Sequence, residues 1–234
     1  MLSDEVASAI EESCKDRAKI YTFLSRMFER ELTAELIEEM RCGQSPLRGK
    51  PSGEIRYNMM LHRGIELIGD YLNSIQDRKL EDVQEEMAAE YAGLFLGVRG
   101  VPLHPSESLY IGKEKLIMQE PREEVLAVYR QEGLGKIKQF TEPEDHVAIE
   151  LHFMALLCER CAASAKAREF DEMRRLIQMQ QEFLRDHLAR WLPSLSQDVE
   201  RGSHITFYDG VAKFATGYVE LDKEVLESIG ELLR

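Results

Sequence analysis

The sequence predicts an all-α fold, a single globular multi-helix bundle over residues 1–234, and three observations lead there. Apolar residues recur every three to four positions through most of the chain, the spacing that lines one face of an α-helix. No stretch shows the strict apolar–polar alternation of a half-buried strand. The seven prolines fall between the periodic runs or where a helix would begin.

Ser3 can cap the first helix, with Asp4 and Glu5 in its opening turn. Its stripe is Val6, Ile10, Cys14, Tyr21, Leu24 and Phe28, with Arg17 as the exception. A short helix near Thr33–Arg41 follows, then a loop over Cys42–Gly53 marked by Pro46, Pro51 and three glycines. Helices are expected near 54–74 and 80–96. The second of these carries Leu80, Val83, Met87, Tyr91, Leu94 and Phe95, and Gly97 ends it. Residues Gly97–Ser108 form a loop, Ser108–Met118 a short helix, and Pro121 opens another to about Glu132. A break at about 133–142 divides an N-terminal helical part, about 1–132, from a C-terminal part, about 143–234. The latter holds a long helix over 143–167, then helices at 169–191, beyond Pro193, at 205–219 and at 222–233, the last capped by Asp222.

Composition narrows the class of function. A formal charge of −13 argues against a general nucleic-acid binder, because phosphate calls for a basic surface, and it suits a cationic partner. No run approaches the roughly 18 apolar residues that span a bilayer. The start, Met1-Leu2-Ser3-Asp4-Glu5, lacks the basic residues and apolar run of an export signal, so a cytoplasmic protein is expected. Cys158 and Cys161 form a CxxC inside a helical run, with Cys14 and Cys42 far apart in sequence; they read as buried thiols rather than a zinc or redox site.

The most informative segment is Glu142-Pro143-Glu144-Asp145-His146, leading into Val147-Ala148-Ile149-Glu150-Leu151-His152-Phe153-Met154. Pro143 reads as a first-turn proline, which puts Glu144 and Asp145 at the positive end of the helix dipole. From Val147 to Cys158 only Glu150 and His152 are polar, so the helix belongs in the middle of a bundle. His146 and Glu150 are i,i+4 neighbours, and with Asp145 they give this core helix an ionisable mouth.

Three chemistries compete for Asp145, His146 and Glu150. A small metal- or nucleotide-dependent hydrolase would use them as ligands or as acid and base. There is, however, no HExxH pattern, no GxxxxGK[ST] loop and no nucleophile to complete the set, and Gly133-Leu134-Gly135-Lys136 is too short for a phosphate loop. The third reading is a binding site in which carboxylates pair with arginine. It expects no catalytic residue, metal or cofactor.

Four motifs stand in order: Tyr91-x-x-Leu94-Phe95-x-Gly97; Pro105-x-x-Ser108-x-Tyr110; Met118-x-Glu120-Pro121; and Glu142-Pro143-x-Asp145-His146-x-x-x-Glu150-Leu151-x-Phe153-Met154. Each alone has a bland explanation as core stripe, helix cap or helix start. As an ordered set they resemble the TorD/DmsD (NarJ-like) family of redox-enzyme maturation chaperones. That resemblance implies an all-α globule, monomeric or a domain-swapped homodimer, with no enzymatic activity. It also implies a function: binding the twin-arginine signal peptide and apo-subunit of a molybdopterin oxidoreductase, and preventing export before cofactor insertion. By the same resemblance, Glu142, Pro143, Asp145, His146 and Glu150 belong to the peptide-recognition region. Tyr91, Leu94, Phe95, Pro105, Ser108 and Tyr110 would line the neighbouring groove. Some members carry an aromatic residue just after the loop proline; here Ser106 stands there. Asp145→Ala is expected to weaken peptide binding with little loss of helicity.

Overall fold

The computed structural model describes residues 3–44, 58–135 and 140–233, and among these it is helical with no strand. The 45–53 part of the expected loop, residues 54–57 of the expected third helix and residues 136–139 of the break lie outside the described residues. Helix α1 spans Asp4–Glu29, α2 Ala34–Arg41, α3 Met59–Ser74, α4 Leu80–Phe95, α5 Glu107–Ile111 and α6 Glu120–Gln131. Then come α7 (Val147–Ala167), α8 (Phe170–Phe183), a π turn (Leu184–Leu188), α9 (Ala189–Gly202) and α10 (Thr206–Leu232).

Local chemistry sets the early boundaries. Ser3, Thr33 and Asn58 each accept a hydrogen bond from the amide three residues on, at 3.3, 3.4 and 3.1 Å, and so cap α1, α2 and α3. Gly97, at φ 76°, turns the chain out of α4 in the left-handed region where a side chain is disfavoured.

The apolar stripe of α1 lies along α7, and α3 lies along α10. Helices from before and after the 133–142 break therefore pack against one another. The α3–α10 contact is close at backbone level. A Cβ on Gly64 would sit 2.4 Å from the Phe214 amide nitrogen, and one on Gly217 would sit 2.3 Å from the Leu61 nitrogen. Cys14, Cys158 and Cys161 are buried free thiols in this core, and Cys42 is exposed.

Arg17, the exception in the α1 stripe, is 5 % exposed and pairs with Asp222 of α10, which is 1 % exposed. Its Nε and Nη2 donate to the two Asp222 oxygens at 2.5 and 2.9 Å, and the Tyr21 hydroxyl donates to Asp222 at 2.6 Å. Asp222 is thus a mid-helix ion-pair partner, not a cap, and the expected helices 205–219 and 222–233 are one continuous helix.

Three further boundaries differ from expectation. The helix expected over 108–118 ends at Ile111, because the chain extends at Gly112 and Lys115 and Met118 take left-handed backbone angles of φ 54° and 59°. The long helix begins at Val147 rather than at Pro143. His146 is its cap, with Nδ1 accepting from the Ala148 amide at 3.2 Å, so Asp145 precedes the helix. Finally, α8 runs through the π turn into α9, and Pro193 lies inside α9 rather than at its start. Lacking an amide hydrogen, Pro193 leaves the Ala189 carbonyl without its ladder bond, next to a turn where the regular ladder is already interrupted.

Candidate functional site

Two of the motif segments meet in space. The loop before α5 runs antiparallel to the segment before α7, joined by a single bridge between Ser106 and His146. The Val147 amide donates to the Pro105 carbonyl at 2.8 Å, and the Glu107 amide to the Asp145 carbonyl at 2.9 Å. The side chain of Asp145 completes the clasp: its Oδ2 accepts from the Ser108 amide at 2.8 Å and from the Ser108 hydroxyl at 2.5 Å. The Ser108 oxygen in turn accepts from the Gln119 amide at 3.2 Å. Pro143 is buried and its carbonyl accepts from the His146 amide at 3.1 Å, which tightens the turn before the cap.

Beneath this clasp lies a buried network that includes Glu150 and Tyr110. The Trp191 indole donates to Glu150 Oε2 at 3.1 Å, and Tyr110 stacks on Trp191 with ring centroids 5.4 Å apart. Glu107 Oε2 lies 2.9 Å from Nδ1 of His187, which the π turn carries. Asp145, Glu107 and Glu150 are all fully buried. Burial pushes the Glu150 carboxyl well above the usual carboxylate range, and the neighbouring charges of Glu107 and Asp145 push it further. Glu107 is raised too, chiefly by burial, against the opposing pull of its His187 bond. The remaining oxygens of Glu107 and Glu150 are buried and have no N–H or O–H donor.

Other expected site residues lie elsewhere. Tyr91, Leu94 and Phe95 are core residues of α4, 6 %, 2 % and 8 % exposed. The Tyr91 hydroxyl donates to the Phe28 carbonyl at 3.2 Å, and its ring packs on Phe95 and Tyr208 at 5.1 and 6.0 Å. They therefore offer no aromatic ledge to a ligand in this conformation. The Leu94 carbonyl accepts from the Leu103 amide of the α4–α5 loop at 2.8 Å. Glu142 is half-buried, close enough to Tyr91 to help raise its phenol, after burial itself.

Asp145, His146 and Glu150 are at most 4 % exposed, so none reaches a solvent-borne substrate. Among the described residues no group of three His, Cys, Asp or Glu side chains is arranged to hold a metal ion. Sequence reasoning missed His187 and Trp191. Trp191, the only tryptophan, was the one legible signal, since a buried indole N–H usually finds an acceptor; the pairing of Glu107 with His187 depends on the π turn, which has no local sequence mark.

A family model described as nitrate reductase delta subunit matches residues 61–197. The chain is 30% identical over 219 residues to the chaperone protein TorD of Photobacterium profundum, covering 91% of this chain and 94% of that protein. It is 31% identical over 213 residues to a chaperone protein TorD of Vibrio vulnificus, covering 90% and 94%. To the chaperone protein TorD of Aliivibrio salmonicida it is 30% identical over 217 residues, covering 91% and 95%. These relatives are named as chaperones and not as enzymes. Matched over more than half its length by that model and along nearly all of it by those chaperones, the chain belongs to the nitrate reductase delta subunit (NarJ/TorD) family.

Proposed function

We propose that this chain is a cytoplasmic maturation chaperone for a molybdopterin oxidoreductase. It binds the apo-subunit and its twin-arginine signal peptide, and holds export back until the cofactor is inserted. Family membership supports the class of function. The observation that supports it best is that two motifs of the family set, in residues 105–108 and 145–147, are clasped together although 37 positions apart, so the match extends from sequence order to spatial order. The acid network beneath the clasp is buried, which gives its titratable groups a structural task rather than turnover of a solvent-borne substrate.

Apolar side chains on two loops support binding of an incompletely folded partner. Val98 and Val101 follow α4, and Leu116, Ile117 and Met118 precede α6; all are at least 44% exposed. The chain acts as one domain, as a monomer or a homodimer.

Co-purification from the native host tests this reading. A molybdoenzyme subunit that still carries its twin-arginine leader should be retained with the tagged chaperone. Recovery of the chaperone without such a subunit, together with no heat on titrating leader peptides, overturns it.

A further inference from the structure

Three of the four cysteines gather in one part of the core. Cys14 comes from α1, and Cys158 and Cys161 come from α7, the helix that packs along it; all three are fully buried. The CxxC spacing would pair Cys158 with Cys161. Inside α7, however, side chains at i and i+3 stand about 5–6 Å apart at Cβ, wider than the roughly 3.5–4.5 Å of a disulfide. The Cys158 thiol turns instead to Gln180 of α8, donating to its Oε1 at 3.3 Å. That oxygen also accepts from Arg17 Nη2 at 2.6 Å, which fastens it in place. Cys161 faces α1, and its thiol donates to the Cys14 sulfur. The structure pairs across the helices, not along one.

The surroundings give the two sulfurs different tasks. Arg17 Nη1 donates to Cys14 Sγ at 3.9 Å, while its Nε holds Asp222. The bond from Cys161, with the nearby Arg17 charge, keeps the Cys14 thiol below the usual thiol range against the opposing effect of burial. The same bond, and burial after it, push Cys161 up. Cys14 is thus the sulfur that ionises and attacks, and Cys161 the neutral thiol beside it.

A small oxidant has a short way to reach the pair. Lys15 and Ala162, next in sequence to the two thiols, line an open cleft of about 760 Å³ between α1, α2 and α7. Buried Ala18 on α1 and Ala162 and Ala165 on α7 are small side chains that let the helices approach closely.

We propose that Cys14 and Cys161 are a redox pair, which a hydroperoxide oxidises to a disulfide locking α1 to α7 and a thiol reductant reopens. The Cys14 thiolate attacks a peroxide oxygen; an S–O bond forms, the O–O bond breaks, and the leaving hydroxide takes up the proton that Cys14 gave. The Cys161 sulfur then attacks the sulfenic sulfur. An S–S bond forms, the S–O bond breaks, and the departing hydroxide leaves as water with the Cys161 proton. The peroxide gains the two electrons that the two thiols lose. Because α1 precedes the 133–142 break and α7 follows it, the bridge ties the two parts of the chain covalently.

The test uses the full chain with Cys42→Ala, which removes the exposed thiol. It is treated with hydrogen peroxide, alkylated in denaturant and digested for mass spectrometry. Two of the three remaining thiols should be lost, the intact mass should fall by about 2 Da for two hydrogens, and the linked peptides should join Cys14 to Cys161. A thiol reductant should restore all three. Adding Cys158→Ala should keep the link, and adding Cys161→Ala should abolish it. The oxidised chain should unfold at a higher urea concentration than the reduced one, since the bridge closes a loop of more than half the chain. A Cys158–Cys161 link overturns the pairing, as do thiols that stay reduced at a peroxide dose that fully oxidises Cys42 in the wild type. Equal urea midpoints for the two forms overturn the lock.

Discussion

Asp145 and Ser108 are joined by two hydrogen bonds to a single carboxylate oxygen, one from the Ser108 amide and one from its hydroxyl, with the Asp145 side chain wholly inside the protein. The pair ties the start of α7 to α5, and this gives the aspartate of the family motif a structural task in the closed form.

Asp145→Ala should therefore lower folding stability by about 2–3 kcal/mol, because it strands the buried Ser108 amide and removes charge-assisted bonds. Ser108→Ala should cost about 1 kcal/mol. Urea unfolding of both variants checks this. Full stability in Asp145→Ala with lost peptide binding would return Asp145 to direct recognition.

The buried acid pair makes stability pH-dependent. Glu107 and Glu150 are raised above the ordinary 4.5, so over the window above that value the folded chain holds more protons than the unfolded chain. Stability should accordingly fall as pH rises through this window toward neutrality and beyond. Glu150→Gln keeps an oxygen for Trp191 without the charge, and should flatten the profile and raise stability at alkaline pH. Denaturant melts at acidic and alkaline pH read the slope; a variant profile parallel to wild type would refute the raised Glu150 carboxyl.

Gly217→Ala should be among the most damaging single-methyl additions. Its Cβ would meet the α3 backbone at Leu61, which cannot rotate away, so the helices must separate. A loss of about 1–3 kcal/mol is expected from overpacking, visible as a lower Tm. Gly69→Ala, on the same α3 with nothing within 4 Å of the added carbon, is the neutral control.

Removing one partner of the Arg17–Asp222 pair should cost about 3–5 kcal/mol, since the survivor stays charged and buried. Asp222→Asn and Arg17→Met each test this, and the double variant Arg17→Met, Asp222→Leu should recover part of the loss. Because this pair links α1 to α10, a fragment ending near residue 135 should fail to fold alone; a cooperative melt of that fragment would contradict it.

Much of the fold was legible because local rules suffice for it. The stripe of α1, the cap Ser3 and the glycine after α4 all act within a few residues, and each stands where the sequence places it. What escaped was long-range. Asp222 resembles a helix cap in its local context; its partner lies 205 positions away in sequence. Pro143 resembles a first-turn proline, yet His146 outcompetes it by offering a ring nitrogen to the Ala148 amide. Of the site, the motif segments 105–108 and 142–150 did converge. Tyr91 and Phe95 did not join them, because an aromatic stripe at helical spacing serves a core as readily as a groove.

The π turn at Leu184–Leu188 constrains chain length as firmly as any side chain constrains chemistry. It holds one residue more than an α-helical turn would. Deleting a single residue there would restore even pitch but swing everything after it by about 100°, turning Trp191 and Leu195 outward and parting His187 from Glu107. A one-residue gap at this point in a homologue would therefore mark a protein whose acid network is built differently, however well the rest of it aligns.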